Sequence, residues 1–199
     1  MKLRIAGLTV ICIAALAGQA RAQVVWDSPM LMAPRPAVGT GLYLIDAHRA
    51  GVGILGTMRQ SPQGVGLRLG IVDGRGDGIG ILGGVDVSGL LATVSPDFPF
   101  DVSWVAGIGA GFDDWLVISA PLGLSLGRTF TTPDATLTPY ITPRLMLDAN
   151  LGRDPPARNE LRLAFALDLG FDVAFQPGWM IRFGAGLGDR GGLAIGLVF

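Results

Sequence analysis

Residues 161–175 alternate without a fault. Leu161, Leu163, Phe165, Leu167, Leu169, Phe171, Val173 and Phe175 fall on one face. Arg162, Ala164, Ala166, Asp168, Gly170, Asp172 and Ala174 fall on the other. A period of two over so long a run specifies a β-strand. A helix would bring Leu161, Phe165 and Asp168 to one side and mix the two classes.

The same period recurs along the chain. Val65, Leu67, Leu69 and Ile71 alternate with glycines and Arg68. Comparable runs cover 101–111, 115–127, 178–187 and 191–199. Ser61-Pro62-Gln63, Asp73-Gly74-Arg75-Gly76, Asp113-Asp114, Gln176-Pro177-Gly178 and Asp189-Arg190-Gly191 punctuate them as turns. Ten strands are expected near 38–46, 50–58, 64–72, 78–91, 101–111, 115–127, 136–147, 159–175, 178–187 and 191–199. Runs of nine or more residues match the roughly 9–11 that a tilted strand needs to cross a bilayer. Pro121, Pro139 and Pro143 interrupt two of the runs, and each removes a ladder donor.

The two faces differ in kind. One is rich in Leu, Ile, Phe and Trp, which suits lipid; the other is mostly Gly, Ala and Ser with an occasional Arg or Asp, which suits a cramped polar lumen. A soluble sandwich would instead expose a Lys-, Glu- and Thr-rich face. In hydrocarbon every backbone polar group must be paired, so the sheet has to close. Arg68, Asp86, Asp101, Arg144, Arg162, Asp168, Asp172 and Arg182 are the expected lumen groups, forming a charge network that fills the barrel. Composition agrees: 50% hydrophobic against 16% charged residues excludes disorder, and a formal net charge of -1 excludes a basic nucleic-acid binder.

The N-terminus reads as an address. Lys2 and Arg4 precede an uncharged apolar stretch from Ile5 to Gly18, and Ala20-Arg21-Ala22 supplies small residues before a cleavage point at Gln23. This is the pattern of a secretory signal peptide. Cleavage there removes Cys12, the only cysteine, and Lys2, the only lysine. Disulfides and thiolate chemistry are then impossible in the processed chain. Residues 23–37, with Pro29, Pro34 and Pro36, show no period and read as an irregular lead-in to a barrel over 38–199.

The chain ends in Phe199, with Leu193, Ile195 and Leu197 on the same face. This ending resembles the C-terminal strand of bacterial outer-membrane β-barrel proteins. The resemblance implies an all-β, closed antiparallel transmembrane up-and-down barrel of 8–10 strands, ten preferred. It also implies export by the general secretory route, outer-membrane lipid around the wall, and reading of the last strand by the barrel assembly machinery. An even strand number would place both termini on the periplasmic side. Trp104, Trp115, Tyr140 and Trp179 are candidates for an aromatic girdle.

Other motifs carry less. Gly51–Gly56 and Gly78–Gly83 match G-x-G-x-x-G, but strand-like sequence follows each where a nucleotide site needs a helix. Asp73–Gly78 is a poor calcium loop, with Arg75 at the third ligand position and Gly84 at the closing one, and the Arg75-Gly76-Asp77 tripeptide reads as part of a hairpin loop. His48 is the only histidine, so a transition-metal site is not expected. The expected role is non-catalytic, structural or at the surface, with weak passage of small solutes and without cofactor. One rival is a lipid-modifying enzyme using His48, with Asp46 and a serine such as Ser88, Ser103 or Ser119. The other is a secreted soluble barrel that binds an apolar ligand.

Overall fold

The computed structural model describes residues 25–47, 51–73, 79–112, 116–151, 160–176 and 178–199. The strands are β1 (Gly39–Ala47), β2 (Gly51–Arg59), β3 (Gly64–Asp73), β4 (Ile79–Ala92), β5 (Asp101–Phe112), β6 (Leu116–Gly127), β7 (Phe130–Thr131), β8 (Thr136–Leu151), β9 (Glu160–Gln176), β10 (Trp179–Gly188) and β11 (Gly192–Val198). β7 is a two-residue pairing on β8. The other ten form a closed ring of antiparallel neighbours in chain order. β1 closes on β11 from Gly41↔Val198 to Ala47↔Gly192, and β6 closes on β8. Thr40 and Phe199 exchange N–H···O bonds of 2.8 and 2.9 Å at the seam. Closure pairs each of these ten described strands on both sides.

The ten-strand all-β barrel is the architecture expected from the alternation. The largest difference is in β8, which runs to Leu151 rather than ending near 147. Its prolines are accommodated within the wall: the β6–β8 ladder skips from Gly123↔Arg144 to Leu126↔Ile141, an interval that holds Pro143. Both glycine-rich motifs fall in strands, the first in β2 and the described part of the second in β4.

The alternation sorts the faces as chemistry requires. Leu69, Leu161 and Leu163 are 67, 70 and 66% exposed on the outside, while Arg68, Ala164 and Asp168 between them are buried inside. Trp104 and Trp179 lie on the outer face. Tyr140 does not join them: it points inward and is 4% exposed, because it shares the inner register of β8 with Thr142 and Arg144. Trp115 lies outside the described residues.

One rim carries Gly39, Arg59, Gly64, Asp101, Gly127 and Phe199 and is called the near rim. The far rim carries Ala47, Asp73, Phe112, Leu151, Gly188 and Gly192. Residues 25–37 are irregular, as their prolines demand, apart from a 3₁₀ turn over Val25–Asp27. Residues 25–34 lie within the lumen. Val25, Trp26, Met30, Leu31, Met32 and Ala33 are almost completely buried. They pack against an inner apolar layer that includes Ile45, Leu55, Val72, Leu82, Val105 and Val117.

Candidate functional site

Among the described residues, charge concentrates away from the rims in the lumen. The lumen is built around the main chain of the inserted segment. Three arginines on three separate strands donate to its carbonyl oxygens. Arg68 on β3 reaches Met30 at 2.5 Å, Arg182 on β10 reaches Leu31 at 2.7 Å, and Arg144 on β8 reaches Trp26 at 2.8 Å and Ser28 at 3.2 Å. The Met30 N–H donates to Asp168 at 2.8 Å, and the Ser125 hydroxyl donates to Met32 at 2.6 Å. A segment without regular structure cannot satisfy its own backbone, and buried backbone groups must be paired. The wall supplies the partners.

Each arginine is also held by an aspartate of the wall. Arg182 and Asp172 form a bidentate pair at 2.7 and 2.6 Å. Arg144 pairs with Asp168 at 2.8 Å. Asp86 receives Arg68 at 2.9 Å and also Arg59. Arg35 of the segment grips Asp101 through two bonds of 3.0 Å. Asp148 and Asp27 both pair with Arg190, which tethers the start of the segment to the β10–β11 connection. A charge removed from water needs both a counter-charge and further hydrogen bonds. The segment's carbonyls complete that set for Arg68, Arg144 and Arg182.

Of the eight lumen residues expected from sequence, seven are buried and paired in this way. Arg162 is not among them. It lies on the inner face but near the far rim, its side chain 33% exposed and 4.0 Å from Asp189. The alternation missed Arg59, Arg190, Asp148, Asp27, Arg35 and Trp26. Asp148 lies just past the expected end of its strand, and Arg190 in a turn. Asp27, Arg35 and Trp26 belong to a segment whose lack of period concealed its position.

The small inner face has a physical cause. A Cβ built on Gly107 would lie 2.8 Å from the Trp26 ring, on Gly109 2.6 Å from Val25, and on Gly184 2.6 Å from Leu31. The glycines are the imprint of the segment. The Arg68 guanidinium stacks 4.7 Å from the Trp26 ring centroid. A cavity of ≈ 30 Å³ remains between the segment and the β1–β4 wall. That is room for about one water.

Leu193, Ile195 and Leu197 lie on the outer face of β11, and Phe199 stacks against Trp179 at 5.5 Å. Ala20, Ala22 and His48 lie outside the described residues. Asp46 lies on the outer face with Leu44, whereas Ser103 and Ser119 are buried on the inner face and Ser88 accepts from Arg59 at 3.3 Å. A soluble barrel for an apolar ligand needs an apolar interior and a polar exterior. Here the exterior is apolar, and the interior, part apolar and part charged, is occupied by the chain's own segment.

No protein-family model matches this sequence, and no curated protein matches it. Among solved structures, one from a study of the de novo design of transmembrane β-barrels aligns over 83% of this chain and 98% of its own, at 14% identity and a TM-score of 0.35.

Proposed function

We propose that this chain is an integral outer-membrane β-barrel protein of a bacterial envelope, non-catalytic, with a structural or surface role, and closed to solutes at rest. The observation that carries this reading is the distribution of polarity on a closed sheet. Leucine, isoleucine, valine and phenylalanine side chains are exposed around the wall, while Arg68, Asp86, Arg144, Asp168, Asp172 and Arg182 are buried inside it. Apolar surface on that scale calls for lipid or a partner. A barrel is the sheet that hydrocarbon tolerates.

The finer assignment draws on the sequence. The signal-peptide pattern over 1–22 supports export by the general secretory route. The ending at Leu193, Ile195, Leu197 and Phe199 supports recognition by the barrel assembly machinery. Passage of small solutes would require the segment to move, because its side chains and backbone take up the polar lumen.

The test is fractionation combined with gel mobility. The protein should remain in outer membranes washed with urea. In SDS without boiling it should run as a compact band that shifts on heating. Recovery in the soluble periplasm with no heat-dependent shift would overturn the proposal.

A further inference from the structure

We propose that the near rim carries a site for one anionic phospholipid on its outer face, with an acyl chain in a groove between two connections and the headgroup phosphate on Arg128. On the membrane reading above, on which this site rests, that rim lies at the lipid interface. The groove measures ≈ 420 Å³ and is lined by Phe100, Leu126, Phe130, Pro139 and Ile141, with Arg128 beside them. That is the size of a small-molecule site. Leu126 and Ile141 are paired neighbours on the outer face of β6 and β8. Phe100 ends the β4–β5 connection, and Phe130 begins β7.

Both walls are held by their own hydrogen bonds. In the β4–β5 connection the Ser95 N–H donates to the Phe98 carbonyl at 2.8 Å, and the Val94 N–H donates to buried Asp101 at 3.1 Å. Phe98 meets Phe100 edge-on at 6.1 Å. In the β6–β8 connection the Thr132 N–H donates to Ala135 at 2.8 Å, and the Arg128 N–H donates to Pro139 at 3.2 Å. The last bond carries the outward register of Leu124 and Leu126 one step past the end of β6, to Arg128. A groove formed in advance spares a ligand part of the ordering cost.

Arg128 selects the headgroup. Among the described residues it is the one arginine without an aspartate partner: Arg35, Arg59, Arg68, Arg144, Arg162, Arg182 and Arg190 each have one. Its guanidinium lies 5.4 Å from the Phe130 ring centroid, where the ring face attracts a cation. The fork of donors on a guanidinium matches a phosphate. Anionic lipid is drawn to such a basic group near the membrane surface. A zwitterionic headgroup would bring its own cation against the guanidinium.

Native mass spectrometry of the detergent-folded full chain reads the site. Phosphatidylglycerol and phosphatidylcholine of matched chains are added at equal concentration, and retained lipid is counted per barrel. One phosphatidylglycerol should be retained in preference to phosphatidylcholine. Arg128→Gln should lower its retention about tenfold, the loss expected for hydrogen bonds to a charged group. Arg162→Gln, the same change of charge near the far rim, should leave it unchanged. Equal retention of the two lipids, or equal losses in the two variants, would overturn the proposal. Displacement of the lipid by excess inorganic phosphate would overturn it too, because the groove would then contribute nothing.

Phe130→Ala covers an Arg128 variant that does not fold, since β7 stands outside the ten-strand ring. It removes one wall of the groove and the ring beside the guanidinium, and should also reduce retention. Unchanged retention in a barrel that still shifts on heating would overturn the site alone. A chain with no heat-dependent shift and no place in the membrane fraction would overturn the membrane reading with it.

Discussion

Arg182 donates to the carbonyl of Leu31 at 2.7 Å while both oxygens of Asp172 hold the same guanidinium. Wall, counter-charge and inserted segment meet in that one group. Arg182 and Asp172 are both about 5% exposed. Removing one partner of a buried pair costs about 3–5 kcal/mol, whereas an apolar pair of similar volume is often neutral. Arg182→Ala should therefore lower the temperature at which the compact gel band converts to the unfolded one. Arg182→Met combined with Asp172→Leu should lower it less. Equal losses would show that the charge pairing is not what the site responds to.

Trp26 is fully buried and packs against Gly107, Gly109 and the Arg68 guanidinium. Truncating a buried aromatic costs about 3–5 kcal/mol, because the cavity adds to the lost transfer energy. Trp26→Ala should destabilise the barrel by that order in a urea titration of the folded band, and Trp26→Phe by less. A titration unchanged by Trp26→Ala would place the ring in solvent.

Gly109 marks the fit between wall and segment. Its built Cβ would lie 2.6 Å from Val25 Cγ1 and 2.7 Å from Trp26 Nε1. Gly109→Leu should expel the start of the segment while the strand ladder persists. Proteinase K should then trim the folded barrel within residues 25–37, with the cut sites read by mass spectrometry. A segment still protected in a folded Gly109→Leu barrel would contradict the packing described.

The outer wall has its own test. Leu69 lies near the middle of β3 and is 67% exposed. An arginine facing lipid at the midplane costs roughly 2–4 kcal/mol. Leu69→Arg should reduce the folded fraction in lipid vesicles, and Gly64→Ala, at the near rim where φ is 130°, tests backbone strain without changing polarity. A Leu69→Arg protein as stable as the parent would mean that this face meets water.

The wall was legible because the outside and the lumen of the closed sheet carry opposite chemistries on alternate residues. Leu161 to Phe175 reads as a strand with its faces sorted from the sequence alone. Arg68, Asp86, Asp168 and Arg182 were legible for the same reason, being charges set between apolar residues of the outer face. The segment was not. Trp26, Met30 and Met32 are held through main-chain carbonyls and wall glycines, and neither leaves a period in the segment itself. The trace lay elsewhere, in an inner face with more glycine than a side-chain-filled barrel requires. Tyr140 shows the limit of reading aromatics by type: its inner register, not its amphipathic ring, decides its place.

Amide hydrogen exchange on the peptide covering residues 25–37, in the detergent-folded full chain, tests the filled lumen most directly. The Met30 amide bonded to Asp168 and its buried neighbours should exchange as slowly as the wall strands. Complete exchange of that peptide at the earliest time point, with β8 and β9 still protected, would contradict a barrel closed by its own chain.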